Sequence, residues 1–167
     1  MPSRRTAETL SNSAADTLLL EQYLPHRLAV TSKRVTNLLQ RRYADSYGLS
    51  IPEWRVLAVV GRLGTLSPSA VGEWTDMDKV KVSRSAASLV SKGLVRQSQD
   101  PSDGRGRLLR LTRKGTTAYN GVIPIAHEIE ATLAAGLSRT EWTALGKALA
   151  KLDAHVQKIS GSGTDEE

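Results

Sequence analysis

Apolar residues recur along most of the chain at the three- and four-residue spacing of amphipathic helices. This pattern predicts six helices, over residues 17–47, 51–61, 68–75, 79–92, 113–135 and 138–159. Pro25 and Pro124 fall inside the first and the fifth of these helices, where a proline bends the helix axis. The chain is therefore predicted to be mainly α-helical.

Capping signals support several of these helix starts. Ser50 with Glu53, and Ser138 with Glu141, have the spacing of a capping box, in which a hydroxyl and a carboxylate bond backbone N–H groups at the start of a helix. Asp78 stands just before the fourth helix and is a favoured N-cap residue. The predicted boundaries therefore rest on local side-chain chemistry as well as on apolar spacing.

One stretch breaks the helical pattern. The segments LVRQS at 94–98 and RLLRL at 107–111 have the length and the residue types of short strands. Between them lies DPSDGRG at 100–106, which is rich in the Asp, Pro and Gly that favour turns. The sequence therefore predicts a β-hairpin with a basic tip, and the predicted fold class is mainly α with a small β-hairpin.

Positive charge is concentrated in the middle of the chain. The net charge is +6, and residues 79–114 alone carry ten lysines and arginines against two acidic residues. A compact element with such an excess attracts polyanions and releases counterions when it meets phosphates. Nucleic acid is therefore the favoured partner, ahead of an anionic membrane or an acidic protein. The chain has no cysteine, which excludes thiol catalysis and cysteine-ligated zinc.

The helix predicted at 79–92 has two contrasting faces. An apolar stripe is predicted to be buried, at Val82, Ala86, Leu89 and Val90. The other side carries residues that can bond bases or phosphates, namely Lys79, Lys81, Ser83, Arg84, Ser85 and Ser88. Fourteen residues make about 21 Å of helix, enough to lie in a major groove. Taken alone, this pattern fits a DNA-reading helix and a solvated amphipathic helix equally well.

The neighbouring elements favour the DNA-reading interpretation. A short helix, a tight connection, a helix with a basic outer face and a basic-tipped hairpin follow one another in the order of a winged helix-turn-helix. Arg105 and Arg107 are placed to enter an adjacent minor groove, and Asp103 is placed to orient Arg105. An ordinary Asp turn with surface arginines is the alternative interpretation of the hairpin.

Four blocks of sequence resemble the MarR family of bacterial transcription regulators. They are DKVKVSR at 78–84, SKGLVR at 91–96, DPSDGR at 100–105 and LTRKG at 111–115. The resemblance implies a homodimer that binds a palindromic double-stranded DNA operator, usually as a repressor that a small ligand releases. It places Arg105 at the wing-arginine position of the family, with Asp103 as its partner. Gly104 is a departure, because the family often has a basic residue there.

The resemblance also implies how the chain is divided. Residues 17–48 and 113–159 would form the dimerisation region, and residues 49–112 the winged helix-turn-helix domain. Residues 1–16 and 160–167 are expected to be mobile tails. The terminal helices carry more apolar residues than one small lobe can cover, which also favours a homodimer. The predicted interface residues are Leu18, Leu19, Leu20, Leu133, Leu137, Leu149, Leu152 and Val156.

Members of this family commonly bind an effector between the dimerisation helices and the DNA-binding lobe. On that resemblance, the predicted lining residues are Tyr23, His26, Arg27, Trp54, Arg55 and Tyr119. Arg27 or Arg55 can hold a carboxylate bidentately while Trp54 stacks on a ring. The effector is expected to be an aromatic acid or its coenzyme A thioester. Each of these residues also has an ordinary structural explanation, such as a place for Trp54 in the core.

Three other functions are alternatives to a DNA-binding regulator. An enzyme is disfavoured, because His26, His127 and His155 are far apart in sequence and no Gly-rich phosphate loop is present. A metal sensor would need His and carboxylate ligands that converge, and His127, Glu128 and Glu130 form only a weak cluster. No metal or other cofactor is therefore predicted. A winged-helix module for protein contacts or for non-specific DNA architecture stays open. No secretion signal or membrane span is found, so a cytoplasmic location is expected.

Overall fold

The computed structural model describes residues 18–102 and 106–161 of the chain. These residues form six helices and one antiparallel hairpin. The elements are α1 Leu24–Tyr47, α2 Ile51–Leu63, α3 Pro68–Thr75, α4 Lys79–Ser91, β1 Val95–Gln99, β2 Arg107–Leu111, α5 Arg113–Ala134 and α6 Arg139–Gly161. The predicted fold class, mainly α with a small hairpin, is therefore confirmed.

The chain divides into two compact units between Ile51 and Pro52, and α1 belongs to the first of them. This helix begins at Leu24, later than predicted, with Pro25 in its first turn. A proline in that position loses no hydrogen bond, so it marks the start of the helix rather than a bend within it. Gly48 ends α1 in the left-handed conformation, at φ 61°, which glycine adopts without strain.

The second unit has an aliphatic core around the hairpin. α3 packs against α4 and β2, α4 packs against β1, and α5 packs against β2. The most completely buried side chains of this unit are Val56, Leu57, Val60, Val71, Val82, Leu89, Val95 and Leu109. Burying one such side chain contributes about 1.5–3 kcal/mol relative to leaving it in water. The core therefore holds α4 firmly from one side.

The hairpin is antiparallel, with Val95 opposite Leu111 at its base. Leu66, just before α3, adds a one-residue bridge to Leu109 through two backbone hydrogen bonds of 3.1 and 2.7 Å. β2 has its predicted bounds, and β1 lies one residue later than the predicted 94–98. The bridge joins the hairpin to the connection between α2 and α3. Backbone hydrogen bonds as well as side-chain packing therefore hold the second unit together.

Side-chain caps begin α4 and α6 where the sequence predicts them. The Asp78 carboxylate accepts from the Lys81 backbone N–H at 2.8 Å. Ser138 and Glu141 form a reciprocal capping box, in which the Ser138 N–H donates to the Glu141 carboxylate at 2.8 Å and the Glu141 N–H donates to the Ser138 hydroxyl at 3.3 Å. The Ser138 hydroxyl, which also donates to that carboxylate, lowers the pKa of Glu141.

α5 begins in close contact with the residues that lead into the hairpin. Thr112 caps this helix by accepting from the Gly115 N–H at 3.0 Å, and the Thr112 hydroxyl donates to the Gly93 carbonyl at 2.7 Å. A Cβ at Gly115 would lie only 1.8 Å from the Leu94 carbonyl oxygen. Only glycine therefore fits at this position, because the backbone of α5 lies directly on the backbone before β1.

The C-terminal helix α6 has no buried residue along its 23 residues. Its large aliphatic side chains are 40–58% exposed, at Leu145, Leu149, Leu152, Val156 and Ile159. Their spacing of three and four residues places them on one face of the helix. α6 extends to Gly161, so Ser160, which was predicted to begin a tail, is still helical. Residues 1–16 and 162–167, which make up the rest of the two predicted tails, lie outside the described residues.

Candidate nucleic-acid interface

Helix α4 has one buried and one exposed face. The buried face consists of Val82, Ser85, Ala86 and Leu89. The exposed residues are Lys79, Val80, Lys81, Ser83, Arg84, Ala87, Val90 and Ser91. Thirteen residues give about 20 Å of helix. The helix therefore presents a surface of cations and small side chains that is long enough to lie along a DNA major groove.

The exposed face is rotated from the one that the sequence predicted. Ser85, predicted to point outward, is only 5% exposed, because it lies between Val82 and Leu89 on the buried stripe. Val90, predicted to be buried, is 40% exposed. Ser88 is half-buried rather than exposed. The predicted outward position of Ser85 is therefore wrong, since the buried stripe is rotated about the helix axis toward Ser85 and away from Val90.

A buried carboxylate fixes the inner side of α4. Glu53 on α2 is 6% exposed, and its Oε1 accepts from the Ser88 hydroxyl and, at 2.7 Å, from the Lys92 ammonium. The Lys92 carbonyl in turn accepts from the Lys114 ammonium of α5 at 2.9 Å. Hydrogen bonds to charged groups are stronger than those between neutral groups. The end of α4 is therefore tied to α2 and to α5.

This contact is not predicted from the sequence. Glu53 is predicted to cap a helix and Ser88 to contact DNA, and Lys92 has no predicted role. A signal for the contact is nevertheless present, because Ser88 and Lys92 stand four residues apart beside the apolar stripe. Two polar groups at such a border need a partner on the packed helix. Ser88 uses its hydroxyl proton on Glu53, which leaves it poorly placed to donate to a base.

Asp78 shapes the electrostatics at the start of α4. Besides capping the helix, its carboxylate pairs with the Lys81 ammonium at 3.2 Å. The hydrogen bond from the Lys81 backbone N–H is the largest cause that lowers the pKa of Asp78 below its ordinary value. The carboxylate is therefore ionised at neutral pH and offsets part of the charge of Lys81. The exposed Lys79 and Arg84 then supply most of the positive potential of this face.

The hairpin carries a second group of cations. The exposed ones are Arg96, Arg107 and Arg110. The loop is closed at its base by a hydrogen bond of 2.9 Å from the Asp100 N–H to the Gly106 carbonyl. Asp103 and Arg105, which were predicted at the tip, lie outside the described residues. Of the three predicted wing residues, the structure therefore describes Arg107 alone, and it lies in β2 with an exposed side chain.

The two helices α3 and α4 followed by the hairpin have the arrangement of a winged helix-turn-helix. Residues 47–106 match the model of the MarR family, a range that runs from the end of α1 to the base of the hairpin loop. This part of the chain is a winged helix-turn-helix that matches the MarR family. The family resemblance of its DKVKVSR and DPSDGR blocks is confirmed, since both blocks lie within the matched range.

Solved structures with a similar fold match most of the chain. A probable transcriptional regulator from Pseudomonas aeruginosa is 28% identical, with a TM-score of 0.72, over 80% of this chain and 98% of that one. BpsR of Bordetella bronchiseptica, whose DNA binding is regulated by 6-hydroxynicotinic acid, is 27% identical, with a TM-score of 0.72, over 78% and 98%. A mutant of MarR from E. coli complexed with operator DNA is 22% identical, with a TM-score of 0.73, over 81% and 99%. No curated protein sequence matches the chain.

The predicted effector residues are spread over both units. They are Tyr23, His26 and Arg27 at the start of α1, Trp54 and Arg55 on α2, and Tyr119 on α5. The ring of Tyr119 packs against α2 at Gly61. The approach is so close that a Cβ added at Gly61 would lie 2.5 Å from that ring. Trp54 is half-buried and both arginines are exposed. Within the second unit, Trp54 and Arg55 on α2 and Tyr119 on α5 therefore lie on helices that are in contact. Their role in binding an effector stays a prediction.

A groove of about 380 Å³ lies between α3 and α4 of the second unit, lined by Pro68, Gly72, Met77, Lys79 and Val82 among others. None of the predicted effector residues lines it. In the ranges 18–102 and 106–161, no group of three or more His, Cys, Asp or Glu side chains is placed to hold a metal ion. None of the helices in these same ranges is long and apolar enough to span a membrane.

Proposed function

We propose that this protein is a transcriptional regulator that binds a palindromic DNA operator as a homodimer. The observation that carries the proposal is the exposed face of α4, a cationic surface held from behind by an aliphatic core and by Glu53. In helix-turn-helix proteins the second helix enters the major groove and directs its N-terminal residues at base edges. Two similar structures support the proposal, BpsR through its regulated DNA binding and the MarR mutant through its bound operator.

The DNA contacts are divided between the two grooves. In the major groove, the base and phosphate contacts come from Lys79, Lys81, Ser83 and Arg84. In the minor groove, Arg107 is proposed to supply a wing contact, and the family resemblance assigns a second one to Arg105, with Asp103 as its partner. Ser85 has no part in this proposal because it is buried. Ser88 is assigned instead to holding α4 in place through Glu53.

The homodimer is proposed from the exposed apolar face of α6 together with the family resemblance. Apolar patches of this length are rarely left in water, and a second copy related by a two-fold axis brings the same stripe to cover it. The predicted interface residues Leu149, Leu152 and Val156 all belong to this face. Two α4 helices related by the same axis would meet half-sites about 34–36 Å apart on one side of the duplex.

The effector is proposed to be a small aromatic acid, or its coenzyme A thioester, that releases the protein from DNA and so makes it a repressor. BpsR supports the acid, because 6-hydroxynicotinic acid regulates its DNA binding. Arg27 or Arg55 would hold the carboxylate, and Trp54 or Tyr119 would contact the ring. Calorimetry with 6-hydroxynicotinic acid, and with its amide as the uncharged control, tests this assignment. Equal heats for acid and amide would remove the arginines from the proposal.

The DNA-binding proposal is tested by competition at fixed salt. Duplexes enriched by the protein from a random pool are expected to compete about 10³-fold better than an unrelated duplex of the same length. Arg84→Ala should remove this preference, whereas Arg139→Ala, which deletes an exposed arginine of α6, should leave it unchanged. If the unrelated duplex competes as well as the enriched duplexes for binding to the wild-type protein, the proposal is wrong. That outcome would support a module for protein contacts or non-specific DNA architecture.

A further inference from the structure

Val80 is an exposed apolar side chain at the start of α4. Its side chain is 57% exposed, although valine is among the residues most often buried in proteins. Valine is also β-branched, so at an exposed helix position it is less favourable than alanine. The core contact at this end of α4 is made by Val82, which is 1% exposed. The stability of the helix therefore gives no reason for a valine at position 80.

The surroundings of Val80 point toward DNA rather than toward an apolar partner. Lys79 and Lys81 flank it in sequence, and both are exposed. The exposed residues three, four and seven positions later, which share its face, are Ser83, Arg84 and Ala87. A face of this composition is suited to phosphates and base edges. Val80 lies in the first turn, which is the part of a recognition helix that comes closest to the bases.

The chemistry of the major groove then limits what Val80 can contact. Hydrogen-bond donors and acceptors line most of the base edges, and valine can bond to none of them. The C5-methyl group of thymine is the apolar feature that this groove presents. We infer that Val80 packs on the C5-methyl group of a thymine and thereby makes α4 select a thymine in each operator half-site. This inference rests on the proposed function, because it requires α4 to lie in a major groove.

The size of the effect follows from the burial of one methyl group. Removing such a group from an apolar contact weakens binding about fourfold. Replacing one thymine with deoxyuridine removes the C5-methyl group and leaves the base pair and its hydrogen-bonding groups unchanged. Val80→Ala removes the partner side chain without destabilising the helix, because alanine is the better helix former. The pair of changes therefore forms a double-mutant cycle on a single contact.

The experiment uses the full chain and the duplex that it enriches from a random pool. Each thymine of one half-site is replaced in turn by deoxyuridine, and the affinities of wild type and of Val80→Ala are measured. We expect one thymine at which deoxyuridine weakens the wild type about fourfold and leaves Val80→Ala unchanged. Val90→Ala is the matched control, since Val90 is a second exposed valine of α4, about 15 Å farther along its axis. It should keep the wild-type response at every thymine.

Two results would overturn the inference. One is that no thymine is sensitive to the loss of its methyl group in the wild type. The other is that Val80→Ala keeps the same sensitivity at every thymine, so that the two changes are additive. A different result, in which the wild type enriches no sequence at all, contradicts the proposed function itself. The two failures are thus told apart by the enrichment step.

Discussion

Helices α4 and α6 have similar amphipathic sequences and opposite surroundings. The apolar stripe of α4 is buried in its own chain by α3 and the hairpin, and its exposed face is cationic. The apolar stripe of α6 is exposed along its whole length, and no residue of that helix is buried. The comparison shows that a hydrophobic pattern defines which face of a helix is apolar but does not identify the surface that covers it.

The difference between the two helices also separates two parts of the proposed function. The apolar stripe of α4 is covered within one chain, so the exposed cationic face of this helix is available to a polyanion. The exposed face of α6 is apolar, so its partner has to be another apolar surface, which we propose is the same face of a second copy.

The largest effect is expected from charges placed in the α6 stripe. The double variant Leu149→Glu with Leu152→Glu should lose the homodimer, because about 2 kcal/mol is lost for each of the leucines buried in the two copies. Light scattering should then give a mass of 18.1 kDa rather than twice that value. Lys147→Glu places its new carboxylate on the other side of α6 and should leave the mass unchanged. A double variant that stays dimeric would show that the stripe is not the interface.

A smaller effect is expected from the carboxylate that holds α4. Glu53→Ala leaves the Lys92 ammonium without this partner and Ser88 without its acceptor, so the free energy of unfolding should fall by about 2 kcal/mol. Urea unfolding measures this loss. Glu73→Ala, at an exposed position of α3, should change stability by less than about 0.5 kcal/mol. If the two variants are equally stable, Glu53 does not hold α4 as the contacts indicate.

The smallest effect concerns the cap of α4. The pKa of Asp78 is lowered in the folded protein from its ordinary 3.8, so its charged form stabilises the fold above that pH, and this contribution is lost as the pH falls through the lowered pKa. Asn in its place keeps a cap acceptor without a charge. The stability difference between wild type and Asp78→Asn should therefore be constant above about pH 5 and shrink as the pH falls below 3.8. A difference that stays constant would contradict this assignment.

The same variant tests the electrostatics of the exposed face. Without the carboxylate, Lys81 is released from its ion pair and becomes available to phosphates. Asp78→Asn should therefore bind DNA more tightly, and its affinity should depend more steeply on salt, by about one unit of slope per added phosphate contact. An unchanged salt dependence would mean that Lys81 does not reach DNA.

The local parts of this fold were predictable because local chemistry sets them. α3 has its predicted bounds, since Ser67 caps it and Pro68 occupies its first turn. The capping box of Ser138 and Glu141 was likewise readable, because both partners stand within one helical turn. The start of α1 was misjudged because Pro25 was interpreted as an interior bend rather than as a first-turn residue.

The parts that depend on packing between helices were not predictable in the same way. Ser85 has the polarity of a surface residue, and only the packing around α4 shows that it is buried. The contact of Glu53 with Ser88 and Lys92 joins residues that are 35 and 39 positions apart. The four-residue spacing of Ser88 and Lys92 indicates a shared partner, but it does not identify Glu53 as that partner. The exposure of Val80 also depends on which side of α4 the core covers. These three features decide which side chains of α4 can meet DNA.

The most direct test of the central claim, a DNA-binding homodimer, is the spacing of its half-sites. The wild type is bound to its enriched palindrome and to the same duplex with about five base pairs inserted at the centre, which is half a helical turn. The insertion moves one half-site to the opposite side of the duplex, beyond the reach of the second α4. A homodimer that reads both half-sites should lose about 10³-fold in affinity, which brings it to the affinity for an unrelated duplex. Unchanged affinity for the lengthened duplex would contradict the claim.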